Sequence, residues 1–309
     1  MSHKIFIDGQ AGTTGLQITQ RLQAHADVEL LTLGDAERKD PEARRACLRN
    51  SDVAVLCLPD DAAREAVALA NGATRVLDAS TAYRTDPDWA YGVPELCDQQ
   101  RDVIRNSQFV SNPGCYPQGF ILLIRPLIEA GLLDAELPLR CHALSGYSGG
   151  GRQMIEAHEA DMLDKNDPLQ AQAYALSLQH KHVPEMQLYS GTAVRPLFAP
   201  TVAHYYQGML VSISLFSSEL NGSAEQLATC LQTAYAQETF VQVLDAAEVE
   251  NGFLNPVACN GTNLIQLMVL GNADQIMLTA RYDNLGKGAA GAAVQNLNLM
   301  LGLPEAQGL

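Results

Sequence analysis

Cys115 stands in SNPGCYPQG, residues 111–119, between a Pro-Gly turn and an apolar run, FILLIRPLIEAG. Pro117 suits a first helical turn, so the run predicts a helix beginning near Pro117. Unpaired N–H groups and the positive end of the helix dipole favour a thiolate there. The same groups would hold the oxyanion formed when that thiolate attacks a carbonyl. The competing reading is a buried, inert thiol, which is the expectation for Cys57 within VAVLCL. A thiolate that accepts an acyl group needs an acid/base partner. His180 and His182 stand in QHKHVPEM. If that segment is extended, both rings share one face, Lys181 points away, and Glu185 is placed to orient a ring. A His-x-His pair with a nearby carboxylate is also a zinc pattern, although no clear third and fourth ligand follows. A plain surface pair of histidines is the remaining alternative, and no metal is expected.

Two further groups bind rather than react. GQAGTTG, residues 9–15, follows KIFID and opens a helix, so Gly9, Gly12 and Gly15 permit a tight turn and a close approach of backbone to a pyrophosphate. Thr13 and Thr14 lie in the same loop. The alternative is a turn that serves packing alone. Strand two ends in GDAERKD. Asp35 there suits a ribose 2′-OH, whereas Arg38 and Lys39 suit a 2′-phosphate; the balance points to NADP, against a merely solvated charged loop. Ser80 and Arg84, in DASTAYR, follow the strand RVLDA, at the carboxyl end where open parallel sheets bind ligands. Arg84 is a candidate anion clamp. Arg152, after SGYSGGG, is open to the same role or to a surface ion pair.

These residues need a scaffold. KIFID, VELLTL, DVAVLCLP and RVLDAS read as short apolar strands, separated by helical patterns at GLQITQRLQAHA, PEARRACLRN and DDAAREAVALANGA. Such alternation implies a doubly wound parallel sheet of Rossmann type. After Gly119 the texture changes to long alternating stretches such as MLVSISLF, as in a half-exposed mixed or antiparallel sheet. The fold class is α/β, with a second, α+β domain. GAAGAAVQNLNLMLGL closes the chain as a helix rich in small residues.

The 309 residues suit two domains at roughly 100–200 residues each. Hydrophobic residues at 47% and charged residues at 18% allow large cores and exclude a disordered chain. The net charge of −15 argues against a nucleic-acid partner. MSHKIFIDG leads straight into a strand, without the apolar region of a signal peptide, and no apolar run is long enough for a membrane span. Seven cysteines without a CxxC pair point to a reducing compartment, the cytoplasm.

Taken together, GQAGTTG, LDASTAYRTDPDWAYGVPEL, SNPGCYPQG, SGYSGGGR, HKHVPEM, FAPTVAHYYQGM and YDNLGKGAAGAAVQNLN resemble the N-acetyl-gamma-glutamyl-phosphate reductases, in the shorter of that family's two forms. The broader kinship is with aspartate-semialdehyde dehydrogenase and glyceraldehyde-3-phosphate dehydrogenase. The resemblance implies NADPH-dependent reduction of N-acetylglutamyl 5-phosphate to the semialdehyde, a step of arginine biosynthesis. It implies Cys115 as nucleophile and His182 as acid/base. Ser80, Arg84, Asn112, His180 and Glu185 would meet the substrate. Ser145, Gly146 and Asn284 would join the glycine loop, Arg38 and Lys39 at the cofactor. It further implies that the last helix returns to the cofactor domain, giving 1–113 with 286–309 and 114–285 as domains, and a homodimer or homotetramer. Related reductases of aspartyl or aminoadipyl phosphate would share the cysteine, histidine and glycine loop. A dinucleotide- or metal-binding protein without catalysis is the alternative of another class.

Overall fold

The computed structural model describes residues 2–34, 36–38, 40–161, 171–249 and 252–309. The chain divides into two compact units, one of residues up to Pro113 with Ala289–Leu309, the other Gly114–Gly288.

The first unit carries strands β1 (His3–Asp8), β2 (Val28–Leu31), β3 (Val53–Leu56), β4 (Arg75–Asp78), β5 (Ala90–Tyr91) and β6 (Phe109–Ser111), with helices α1 (Thr13–Gln23), α2 (Pro41–Asn50), α3 (Asp60–Ala70) and α4 (Gln100–Asn106). The strands pair in the order β2-β1-β3-β4-β6-β5, every pairing parallel. Order reverses beside β1, as a doubly wound sheet requires. Because side chains alternate along a strand, Ile5 and Ile7 enter one core with Ile18 and Leu22 of α1, while Phe6 enters the opposite one with Leu48 of α2 and Ala63 and Ala66 of α3. Each of the fully buried Ile, Leu and Phe side chains contributes roughly 1.5–3 kcal/mol. Helix α3 ends on Asn71 in the left-handed conformation (φ 46°).

The second unit holds α5 (Cys115–Glu129), β7 (Arg140–Gly146), α6 (Gly151–Asp161), β8 (Gln172–Ala173), α7 (Val183–Ser190), β9 (Leu197–Ala203), β10 (Met209–Phe216), α8 (Ala224–Ala234), β11 (Val241–Leu244), β12 (Ile265–Gly271) and β13 (Gln275–Tyr282). Its sheet runs β11-β12-β13-β10-β7-β9-β8. β7 with β9 and β11 with β12 are parallel, and the other pairs antiparallel, so the sheet is mixed. The period-2 pattern of MLVSISLF appears as alternate burial along β10. Helices α5 and α8 cover one face. Helix α5 buries Phe120, Ile121, Leu123, Ile124 and Leu127, and α7 packs on it.

After a single π-turn at Gly286–Ala290 the chain enters α9 (Gly291–Leu301). Val294, Leu297 and Met300 of α9 fill the first unit's core with Ile5 and Val55. Ten of its residues are buried, so it presents no polar face. The amide nitrogen of its buried Asn296 is bonded instead: Nδ2 donates to Gly92 O at 2.8 Å and to Asn112 Oδ1 at 3.1 Å.

Candidate active site

Cys115 is the first residue of α5, with Gly114 as an N-cap that has no side chain. The helix therefore begins two residues before Pro117, which sits inside the first turn, where its missing N–H costs no intrahelical bond. Three contacts fix this corner. Gly114 N donates to Glu185 Oε2 at 2.9 Å. The Tyr282 hydroxyl donates to Cys115 O at 2.6 Å and accepts from Gly119 N at 3.2 Å. Glycine is required at 119 because a Cβ there would lie 2.8 Å from the Tyr282 ring. Elsewhere burial holds thiols neutral: it pushes Cys57 up to about 12, and pushes Cys141 up as well.

The histidine segment is not extended. His182 adopts a helical conformation (φ −85°, ψ −12°) as the N-cap of α7. The two rings nevertheless meet, with centroids 4.7 Å apart and nearly perpendicular, because the turn folds His180 back: His182 N donates to His180 Nδ1 at 3.2 Å. Burial, reinforced by Lys181, pushes His180 down to about 4. His180 is therefore neutral at pH 7, and its Nδ1 lone pair is already engaged. His182 is buried, as is Glu185 one turn into α7.

The sequence reading missed two phenols that complete this group. The Tyr116 ring lies 5.8 Å from both His180 and His182. The Tyr174 hydroxyl donates to Tyr116 Oη at 3.1 Å. Burial pushes Tyr174 up to about 12 and Tyr116 higher, and negative charge at Cys115 acts on both in the same direction. Both remain hydrogen-bond donors across the neutral range. Tyr174 is 59 positions from Cys115 in a stretch without a motif, so no local pattern signalled it.

Ser145 and Gly146 end β7. Ser145 is buried and bonded with the Tyr116 side chain, and Gly146 N donates to Gly208 O at 2.9 Å. Asn284 clamps the neighbouring loops: its Nδ2 donates to Ser148 Oγ at 2.9 Å, and its Oδ1 accepts from Gly208 N at 2.7 Å. Arg152 is not part of this group; its side chain is 76% exposed and pairs with Glu156 at 2.6 Å. Among the described residues, no three His, Cys, Asp or Glu side chains converge as a metal site.

The remaining candidates lie in the first unit. Gly9 has φ 92°, and a Cβ there would fall 2.3 Å from Cys57 O; a Cβ on Gly15 would fall 2.3 Å from Gly9 O. The loop thus closes on itself and leaves α1, capped by Gly12 without a side-chain bond, with Thr13 and Thr14 in its first turn. This bare helix start fits a pyrophosphate. Arg44, absent from the sequence reading, donates through Nε and Nη2 to Asp8 Oδ2 at 3.0 and 2.9 Å, tying α2 to the strand end from which the loop departs. Arg38 is exposed in the turn after β2, while Asp35 and Lys39 lie outside the described residues. Ser80 and Arg84 are buried in the turn after β4, and Arg84 Nη2 donates to Ala79 O at 3.0 Å. Both ends of the Asn112 amide are engaged, Oδ1 by Asn296 and Nδ2 by Ala289 O at 3.2 Å. One Asn112 amide hydrogen remains for any other partner.

The structure thus gathers Cys115, His180, His182, Glu185, Ser145, Gly146 and Asn284 in the second unit. The glycine loop, Arg38, Ser80, Arg84 and Asn112 belong to the first.

Comparison with known proteins places both units. Residues 4–106 match the semialdehyde dehydrogenase NAD binding domain, and residues 115–284 the semialdehyde dehydrogenase dimerisation domain. The N-acetyl-gamma-glutamyl-phosphate reductase 2 of Pseudomonas putida is 52% identical, over 98% of each chain. The protein of the same name from a Nostoc species is 50% identical, over 99% of each. Among solved structures, aspartate semialdehyde dehydrogenase from Francisella tularensis superposes with a TM-score of 0.74 at 14% identity, covering 97% of this chain and 100% of that one. The Candida albicans enzyme, solved with NADP, gives 0.67 at 15%, covering 97% and 99%. At these identities the structures speak for the α/β fold. Among the described residues no helix is long and apolar enough to cross a membrane.

Proposed function

The chain belongs to the semialdehyde dehydrogenase family, among its N-acetyl-gamma-glutamyl-phosphate reductases, and from that premise we propose that it reduces N-acetylglutamyl 5-phosphate to the 5-semialdehyde, with release of phosphate, in arginine biosynthesis. The observation that supports this most is Cys115 at the first position of α5, with two histidines and two phenols gathered in the same unit.

The Cys115 thiolate attacks the acyl carbon, and first-turn N–H groups of α5 receive the charge that develops on the carbonyl oxygen. The C–O bond to phosphate breaks, phosphate leaves with the electron pair, and the acyl group stays on sulfur as a thioester. Reduced nicotinamide cofactor, when bound, supplies a hydride to that carbon. His182 gives a proton to the thiohemiacetal oxygen and takes it back as the C–S bond breaks. His180, neutral and engaged through Nδ1, orients the His182 turn and offers Nε2–H to the substrate. Glu185, already accepting from Gly114 N, holds the cysteine corner, and an acceptor-only carboxylate is unsuited to grip an anionic substrate. Arg84 and Ser80 meet the substrate's anionic groups, and the one uncommitted Asn112 amide hydrogen is available to them.

The loop Gly9–Gly15 carries the dinucleotide pyrophosphate, and Ser145, Gly146 and Asn284 shape the nicotinamide end. Arg38 and Lys39 select NADPH over NADH. The second unit mediates a homodimer. An assay with N-acetylglutamyl, aspartyl and aminoadipyl phosphates, each with NADPH and NADH, tests substrate and cofactor together. Fast turnover is expected for the first with NADPH; preference for another acyl phosphate overturns the reading. A monomer by light scattering would overturn the dimer.

A further inference from the structure

The turn after β4 contains a buried carboxylate that the steps above do not use. Asp78, the last residue of β4, is fully buried. Its Oδ2 accepts the Ser80 hydroxyl proton at 2.6 Å, and its Oδ1 accepts from Ser80 N at 3.2 Å. Its carbonyl accepts from Asn112 N at 2.7 Å, so one residue supports both the Ser80–Arg84 turn and the residue that follows β6. Ser80 Oγ in turn accepts from Ala82 N at 3.1 Å. A hydroxyl has a single proton to give. While Asp78 is ionised, that proton points at Asp78, and Ser80 presents only lone pairs to an anionic ligand.

We infer that Asp78 is a positioning residue that sets whether Ser80 donates to the substrate: with Asp78 ionised, Arg84 holds the anionic group without Ser80, and with Asp78 protonated, Ser80 joins it. This rests on the reading that Ser80 and Arg84 meet the acyl phosphate. The proton comes from solvent to Asp78 Oδ2. Asp78 O–H then donates to Ser80 Oγ, and the Ser80 hydroxyl turns its own proton to the ligand. No bond to carbon changes. The surroundings bring this exchange near neutrality. Burial pushes Asp78 up to about 6, against the opposing pull of the Ser80 hydrogen bonds and Arg84, while Asp60 at the start of α3 pushes it up further. Asp60 is itself tied to Thr81, accepting from Thr81 N at 2.9 Å. The other titratable neighbours that feel the Asp78 charge, the Cys57 thiol and the Tyr83 phenol, are pushed up and stay neutral. A bound anion raises Asp78 further, so ligand binding and proton uptake reinforce each other.

The test is KM for N-acetylglutamyl phosphate at saturating NADPH from pH 5.5 to pH 8, in the wild type, Asp78→Asn and Ser80→Ala. All three share one substrate, so its own ionisation cancels in the comparison. In the wild type, KM should rise ~10-fold with pH, the value of one hydrogen bond to a charged group. In Asp78→Asn, where nothing titrates, KM should change by less than about twofold over the same range. Ser80→Ala should raise KM ~10-fold at pH 5.5 and by under about threefold at pH 8. An Asp78→Asn profile with the wild-type slope, or a Ser80→Ala effect equal at both ends, overturns the inference. The Ser80→Ala comparison stands alone if Asp78→Asn does not fold. A wild type that reduces the acyl phosphate without this pH dependence overturns the role of Asp78 and leaves the activity standing. A wild type that does not reduce it overturns both.

Discussion

Two cysteines leave parallel strands of the same sheet and meet opposite fates. Cys57 follows β3, and its backbone N–H completes the ladder by donating to Asp8 O at 2.8 Å. Its thiol is half-buried, with the carboxylates of Asp78 and Asp8 nearby, and is pushed up to about 12. Cys115 comes four residues after β6, beyond the Pro113–Gly114 turn, and is the first residue of a 15-residue helix. The side chain is the same in both cases. What differs is whether the chain holds the sulfur against a strand end among carboxylates or places it on the first residue of a helix. On the proposed mechanism, reactivity is a property of the chain's exit path, not of the residue type.

The sharpest way to break this contrast is substitution of each thiol. Cys115→Ser should lower kcat on the order of 10⁴-fold or more. Alkylation by iodoacetamide at pH 7, mapped by mass spectrometry, should label Cys115 and spare Cys57. Labelling of Cys57 at a comparable rate would dissolve the contrast. Next in size, His182→Asn should lower kcat by roughly 10²–10⁴-fold, the usual loss of an acid/base. His180→Asn should cost less, because a ring titrating at about 4 is already neutral and a poor base at pH 7. A larger loss at His180 in the same assay would exchange the two roles.

The pattern in the sequence reached the first unit more fully than the second for a physical reason. Strands buried on both faces read as short apolar runs bounded by turns, and PEARRACLRN coincides with α2 end to end. Helix α9 carries no such information, because it is buried all round; its position came from resemblance alone. The sequence places the start of α5 only near Pro117, because a glycine N-cap leaves no side-chain signal at 114. The sequence leaves the conformation of the His-Lys-His segment open, because alternation alone does not separate a strand from the turn that precedes α7. Tyr174, Asp78 and Arg44 were invisible for another reason: each acts through a partner that only the fold brings close, or through burial, and neither is encoded locally.

A smaller effect contrasts two groups of opposite sign. Asp78 binds its proton more tightly in the folded chain, at about 6 against a usual value near 3.8. The unfolded chain ionises first, so stability falls as pH rises from about 4 to 6 and stays lower above, by up to about 3 kcal/mol. His180 is displaced downward, so its contribution is present above pH 6.5 and is lost as pH falls toward 4. Melting temperatures of the wild type and Asp78→Asn between pH 4 and pH 7 should therefore diverge in favour of the variant as pH rises. A constant difference would contradict the shift at Asp78. The smallest effect belongs to Arg152. Its exposed pairing with Glu156 predicts that Arg152→Ala changes kcat/KM by less than about twofold. A tenfold rise in KM would return it to the site.

The central claim is that Cys115 carries the acyl group. It is tested most directly by mixing the enzyme with N-acetylglutamyl phosphate in the absence of NADPH, quenching in acid and mapping the adduct by mass spectrometry. The account predicts one phosphate released per active site and an N-acetylglutamyl thioester on the peptide containing Cys115, both lost in Cys115→Ser. Release of phosphate with no adduct on Cys115, or an adduct at another residue, would contradict it.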